Sequence, residues 1–188
     1  MSEKNSFEKF HCLRWEELPD MDLYMEQVVT LLNGSLELFT QPHQGKQITS
    51  TMINNYVKHG IVKGPIKKRY SKRHVAYLIV VCILKSVYSL EEISNLIAVQ
   101  IEKYPQERAY DYFCAELESC LHCIFAHKKI RHVPSPDEGS LPVDLIRNTI
   151  QAVAYTVYVR EILHRRTTME EQEKNGALNF SGVPNKKL

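Results

Sequence analysis

TSTMINNYVKHGIVKGPIKKRYS, residues 49–71, is the stretch on which the reading of this chain turns. Thr49 or Ser50 can cap a helix whose Met52, Ile53, Tyr56 and Val57 fall on one side. Gly60 should end it, because glycine takes the left-handed conformation of a helix terminus without steric cost. If Ile53, Tyr56 and Val57 face inward, Thr51, Asn54, Asn55 and Lys58 face outward. Gly64-Pro65 then breaks any helix, and the segment from Ile61 to Tyr70 reads as a short loop or a two-stranded β-ribbon. Ser71 caps a further helix with a ten-residue apolar run from Val75 to Leu84. That run is about half of what a bilayer span needs, so it predicts a helix buried in a protein core and no membrane association.

Charge is sorted around this stretch. From Leu38 to Leu90 the chain carries nine Lys or Arg residues and no Asp or Glu, although the whole protein sums to only +2. The remaining 15 basic residues therefore stand against all 22 acidic ones. A cationic block without carboxylates suits a surface that meets a polyanion, since phosphates are attracted by Lys and Arg and repelled by any carboxylate nearby.

Working outward, Asp20 is expected to cap a first helix, with Tyr24, Val28, Leu31 and Leu32 in helical register and Asn33-Gly34 at its end. A polar connection, with a helical turn around Leu36 to Phe39, leads to the helix at Thr49. Ser89-Leu90-Glu91-Glu92 has capping-box spacing and opens a helix that Pro105 closes. A fifth helix is expected from about Glu107 to His127, and a sixth, capped by Ser140 with Pro142 in its first turn, to about Arg166. From Thr167 the chain turns polar and a disordered tail is expected. Only seven Gly and eight Pro in 188 residues argue against an all-β fold. An odd five cysteines, behind a polar start MSEKNSFEKF, point to reduced thiols in a cytoplasmic protein.

The order of these pieces resembles the DNA-binding head of the MerR superfamily. The shared features are a tyrosine-bearing recognition helix closed by Gly60-Ile61, a wing ending in Tyr70, and a helix pair closed by Leu90-Glu91-Glu92-Ile93. A longer pattern is similar to a bacterial family of MerR-like proteins known as domain of unknown function 1836. It comprises Trp15 with Leu18-Pro19-Asp20-Met21-Asp22-Leu23-Tyr24-Met25, then Thr51 to Lys58, then Lys67-Lys68-Arg69-Tyr70-Ser71, and spans roughly residues 15–103. The resemblance implies a cytoplasmic transcription regulator. Two departures stand out: Asn54 falls where the MerR pattern has Arg, and about sixteen residues, Asn33 to Ile48, separate the first helix from the recognition helix.

The expectation is therefore an all-α protein. A MerR-like winged helix-turn-helix head, with or without a small β-ribbon wing, occupies residues 15–103, and a helical pair for dimerisation or effector sensing occupies 104–166. Thr51, Asn54, Asn55 and Lys58 are the candidates for base and phosphate contact on the recognition helix, Asn pairing with adenine in particular. Lys63, Lys67, Lys68 and Arg69 in the wing, with Lys72 and Arg73 in the first turn beyond it, are candidates for phosphate, and Tyr70 either donates its hydroxyl to phosphate or, the favoured reading, packs under the wing. The expected partners are double-stranded DNA and a second copy of the chain, with Tyr104, Tyr110, Tyr112, Tyr155 and Tyr158 serving either the core or a small-molecule effector pocket. The competing reading is a protein-interaction module that docks an acidic partner without binding DNA.

Enzyme chemistry is not expected. No phosphate-cradling Gly loop, HExxH helix or GxSxG elbow occurs in the sequence. Cys120, Cys123 and His127 share a helix face, with Cys114 and His122 near them, but the same positions form that helix's apolar side, so core packing and no metal or cofactor is the reading.

Overall fold

A computed structural model describes residues 7–180. Among them are seven α-helices and no strand: α1 (Met25–Ser35), α2 (Glu37–Thr40), α3 (Ser50–Lys58), α4 (Lys72–Leu84), α5 (Leu90–Lys103), α6 (Gln106–Phe125) and α7 (Leu141–Phe180). The protein is all-α.

Local chemistry starts and stops these helices. The Thr49 hydroxyl accepts from Met52 N (3.3 Å) at the head of α3, and Gly60, at φ +70°, turns the chain out of it. At α5, Ser89 N donates to the Glu92 carboxylate (2.7 Å) while Glu92 N donates to the Ser89 hydroxyl (3.2 Å), the reciprocal pairing its spacing predicts. The first helix begins later than expected. Tyr24, not Asp20, is its capping residue, because Leu23 is held extended by its backbone pairing with Tyr70.

One hydrophobic core runs through the molecule. Its centre is α4, whose Val75, Leu78, Ile79, Val81 and Ile83 are fully buried. α6 and α7 pack along one another, burying Phe113, Leu117 and Leu121 against Ile150, Val153 and Ala154. The N-terminal segment is tied to α6 rather than left loose. Arg14 forms a paired ion bridge to Glu118 (2.9 and 2.5 Å), and Trp15 N donates to Asp111 (2.7 Å).

The long connection between α1 and α3 is closed at its base by one side chain. Asn33 Nδ2 donates to Ile48 O (2.9 Å), and Ile48 N donates back to Asn33 Oδ1 (2.9 Å). The intervening residues form α2 and a turn without separating α1 from α3, which stay in contact.

α7 departs most from the sequence reading. Where a disordered tail was expected from Thr167, the helix continues to Phe180; residues 181–188 lie outside the described residues. Arg166 and Glu170 form an i,i+4 pair (2.9 Å) across the expected end. Met169, Glu170, Glu171 and Gln172 are good helix formers that extend a helix already nucleated by packing.

The loop between α6 and α7 hangs on Arg147. Its guanidinium donates to both Glu138 oxygens (2.5 and 2.7 Å), to Val133 O (2.7 Å) and to the Tyr112 hydroxyl (2.9 Å). The Arg147 hydrogen bonds, and then the Ser135 N–H, hold the Glu138 carboxyl down at about 2. Its folded value lies below the ordinary one, so the ion pair contributes stability above pH ~4.5 and loses it as pH falls toward 2. The melting temperature of the wild type should therefore drop more steeply between those limits than that of Glu138→Gln; parallel pH profiles would exclude the effect.

Candidate nucleic-acid interface

The two faces of α3 fall as its helical period predicts. Ile53 and Tyr56 are buried and Val57 is half-buried, whereas Thr51, Asn54, Asn55 and Lys58 are exposed. Neither Asn side chain is held by a hydrogen bond among the described residues. Their amides are free to pair outward. The chain after α3 folds straight back on it: Ile61 N and Val62 N both donate to Tyr56 O (3.0 and 3.4 Å). His74 Nε2, from α4, reaches Gly64 O (3.3 Å).

Of the short loop and the β-ribbon expected between Ile61 and Tyr70, the structure forms a tight turn. Ile66 and Arg69 exchange two backbone hydrogen bonds (3.0 and 2.9 Å), leaving Lys67 and Lys68 at the tip. The pairing goes no further along this turn: Gly64 O, where the next rung would form, receives His74 Nε2 instead, and Tyr70 pairs on its outer edge with Leu23 (2.9 and 2.8 Å). Both tip residues have positive φ, 50° for Lys67 and 64° for Lys68. Such a turn is ordinarily built from Asn and Gly, and lysine in this conformation is strained.

The four remaining candidates separate. Arg69 is exposed but fixed, its Nη2 donating to the Tyr24 hydroxyl (2.9 Å) with the guanidinium 4.7 Å over the Tyr24 ring. Tyr70 does not belong to the surface. It is 2% exposed and packed in the core, edge-on to His74, and burial pushes its phenol upward. Lys72 is also withdrawn: its side chain is only 15% exposed, its amine bridges Asp20 (2.6 Å) and it lies over the Trp15 ring. Arg73 remains largely exposed and shares a looser ion pair with Glu107 (3.7 Å). A stretch without carboxylates in sequence thus acquires two of them in space, on its α4 side. By contrast, Lys58, Lys63, Lys67 and Lys68 have no ion-pair partner among the described residues.

The cysteines of α6 are core residues. Cys114, Cys120 and Cys123 are buried, and burial pushes the Cys120 thiol up to about 12. His127 does not join them. The group with metal-ligand chemistry among the described residues is instead Glu116, Cys120 and His132, whose donor atoms lie within 4.8 Å of one another. Both Glu116 oxygens are already engaged, one by His132 Nδ1 and by the Cys120 thiol (3.7 Å), the other by Val133 N (2.7 Å). The arrangement ties the loop before α7 onto α6. His132, a possible addition to the cysteines on sequence grounds, comes from an irregular loop, so no spacing rule could have paired it with Glu116.

A family model described as Domain of unknown function (DUF1836) matches residues 13–113, more than half of the chain. The chain belongs to the DUF1836 family. The DUF1836 match contains α1 to α5, the tight turn and the first part of α6. It therefore includes every candidate residue of this surface. No curated protein and no solved structure matches the chain. Among the described residues no helix is long and apolar enough to cross a membrane.

Proposed function

We propose that the protein is a transcription regulator that binds duplex DNA, in the cytoplasm, through α3 and the turn that follows it, in the manner of a MerR-like head. The observation that supports this reading is a single one: Thr51, Asn54, Asn55 and Lys58 on α3, and Lys63, Lys67 and Lys68 beside it, are all exposed and all without a carboxylate partner among the described residues. A nine-residue helix is about 13 Å long and enters a major groove about 12 Å wide. Its paired amides have the donor and acceptor geometry that adenine presents there. The lysines neutralise flanking phosphates, which positions the helix without reading sequence.

The test is selection of bound sequences from a random duplex pool, followed by affinity measurement on the enriched sequence as salt rises. Enrichment of a defined site and a log–log salt slope of several units support the reading. Binding that shows no preference among duplexes, together with a stable complex with an acidic protein, would replace it with the interaction-module reading.

We also infer a two-fold assembly through α7. The apolar side of α6 is consumed inside the subunit, whereas α7 carries several exposed apolar residues among the described ones. Tyr155, Val159, Ile162 and Met169 are all exposed and recur at coiled-coil spacing. A second copy is the occupant that also supplies DNA with two heads for a paired half-site. Sedimentation should give the mass of two chains for the wild type and of one chain for the Val159→Glu, Ile162→Glu variant. A wild-type monomer at micromolar concentration would sink this part of the proposal.

A further inference from the structure

Beneath the α1–α3 connection lies a cavity of about 240 Å³, bounded by that connection, the inner side of α3, the end of α4 and α7. Leu36, Phe39, Ile48 and Met52 line part of it. Lys46, Lys85 and Arg160 stand around the rest, and no Asp or Glu lines it. Three cations converge on one half-enclosed space.

None of the three is neutralised. Arg160 spends its guanidinium on backbone carbonyls, Nη1 on Gln44 O (2.9 Å) and Nη2 on Ser86 O (3.1 Å). Lys85 Nζ reaches only Tyr88 O (3.3 Å), and Lys46 has no ion-pair partner among the described residues. These contacts hold the Arg160 guanidinium in place without cancelling its charge. A cation fixed in advance loses little freedom when an anion arrives. The other ionisable groups of the wall supply no negative charge. Burial pushes the Cys82 thiol up to about 12 and raises the Tyr56 phenol as well, so both are neutral near pH 7.

A second observation points the same way. Gln44 is 4% exposed and anchored by its Nε2 donating to Val157 O (3.1 Å). Its Oε1 is buried with no donor. Buried acceptors are almost always satisfied; Gln44 lines the cavity, and a turn of its side chain would bring this oxygen to a ligand's hydroxyl or ammonium group.

The geometry points to a binding site for a small organic anion, a carboxylate or a phosphate ester that also carries a hydrogen-bond donor. Its charged end lies among Lys46, Lys85 and Arg160, and its carbon skeleton lies against Phe39 and Met52. Met52 and Tyr56 form the inner side of α3, directly behind Asn54 and Asn55. Resting on the DNA-binding reading, the site is where an effector would shift the aim of that helix.

Calorimetric titration of the full chain with pyrophosphate and, separately, with citrate, at constant ionic strength, tests the site. Saturable binding of at least one probe, one per chain, is expected, with the tighter probe telling phosphate from carboxylate chemistry. Lys46→Gln, Lys85→Gln should weaken that probe by about tenfold or more without lowering the melting temperature of the free protein, since both lysines are exposed. The Lys63→Gln, Lys67→Gln, Lys68→Gln variant should bind it as the wild type does. If the lysine pair does cost stability, a probe-induced rise in the wild-type melting temperature that Arg160→Lys diminishes serves as the second measurement. Absence of saturable binding by either probe, or weakened binding in the turn variant with full binding in the cavity variant, overturns the site. Duplex affinity measured on the same samples is a separate readout, so a protein that ignores DNA but binds the probe refutes only the DNA reading.

Discussion

Replacing Lys63, Lys67 and Lys68 together by Gln should weaken duplex binding about a hundredfold, on the order of 1 kcal/mol for each lysine–phosphate interaction removed. The log–log salt slope should fall by about three units, one for each lysine. All three side chains are exposed and without ion partners among the described residues, so the fold should be untouched. Substitution at Lys67 and Lys68 keeps a side chain at positive φ and adds no new strain. The discriminating measurement is the ratio of affinities for selected and random duplexes. Removing the turn's hold on phosphate lowers both alike and leaves the ratio intact, whereas Asn54→Ala, Asn55→Ala should collapse it. A triple variant that binds as the wild type does would remove the turn from the interface.

Tyr70 should behave as a core residue in spite of its place beside that turn. Tyr70→Ala removes a ring that is 2% exposed and should cost about 3–5 kcal/mol, seen as a melting temperature lower by about 10 °C. Tyr70→Phe keeps the ring and should leave duplex affinity within about twofold, because only 2% of the residue is exposed and so little of it can meet phosphate. A marked affinity loss in Tyr70→Phe at unchanged stability would return the residue to the interface. Both outcomes bear on the turn as well, since the backbone of Tyr70 pairs with Leu23 and anchors the turn to the segment before α1.

What the sequence made legible was what short-range chemistry controls. Thr49, Ser71 and Ser89 each stand at a helix start and Gly60 at a helix end, because a cap or a left-handed glycine is decided within four residues. The outward set of α3 followed from helical period alone. Partnerships across the chain were hidden. Lys72 meets Asp20 and Arg73 meets Glu107, so a window free of acids in sequence is partly neutralised in three dimensions. Arg69 is held by Tyr24, and Arg160 reaches the far wall of a cavity built by residues more than 70 positions away. Of the short loop and the β-ribbon that the sequence left open, the fold takes the shorter form, a tight turn paired between Ile66 and Arg69, a choice that rests on how the turn docks and not on its own residues. The end of α7 was missed because a polar composition marks a tail only when no packed helix precedes it.

The Asn33–Ile48 clamp has a bearing on how this architecture can vary. A loop pinned at its mouth adds or drops residues at little entropic cost, and doing so does not re-aim the helix on the far side of the pin. Much of the cavity wall, including Lys46 and Gln44, belongs to that pinned loop. The chain therefore separates two properties that compact domains usually entangle: the lining of the cavity can be rewritten while the outward face of α3 stays in register.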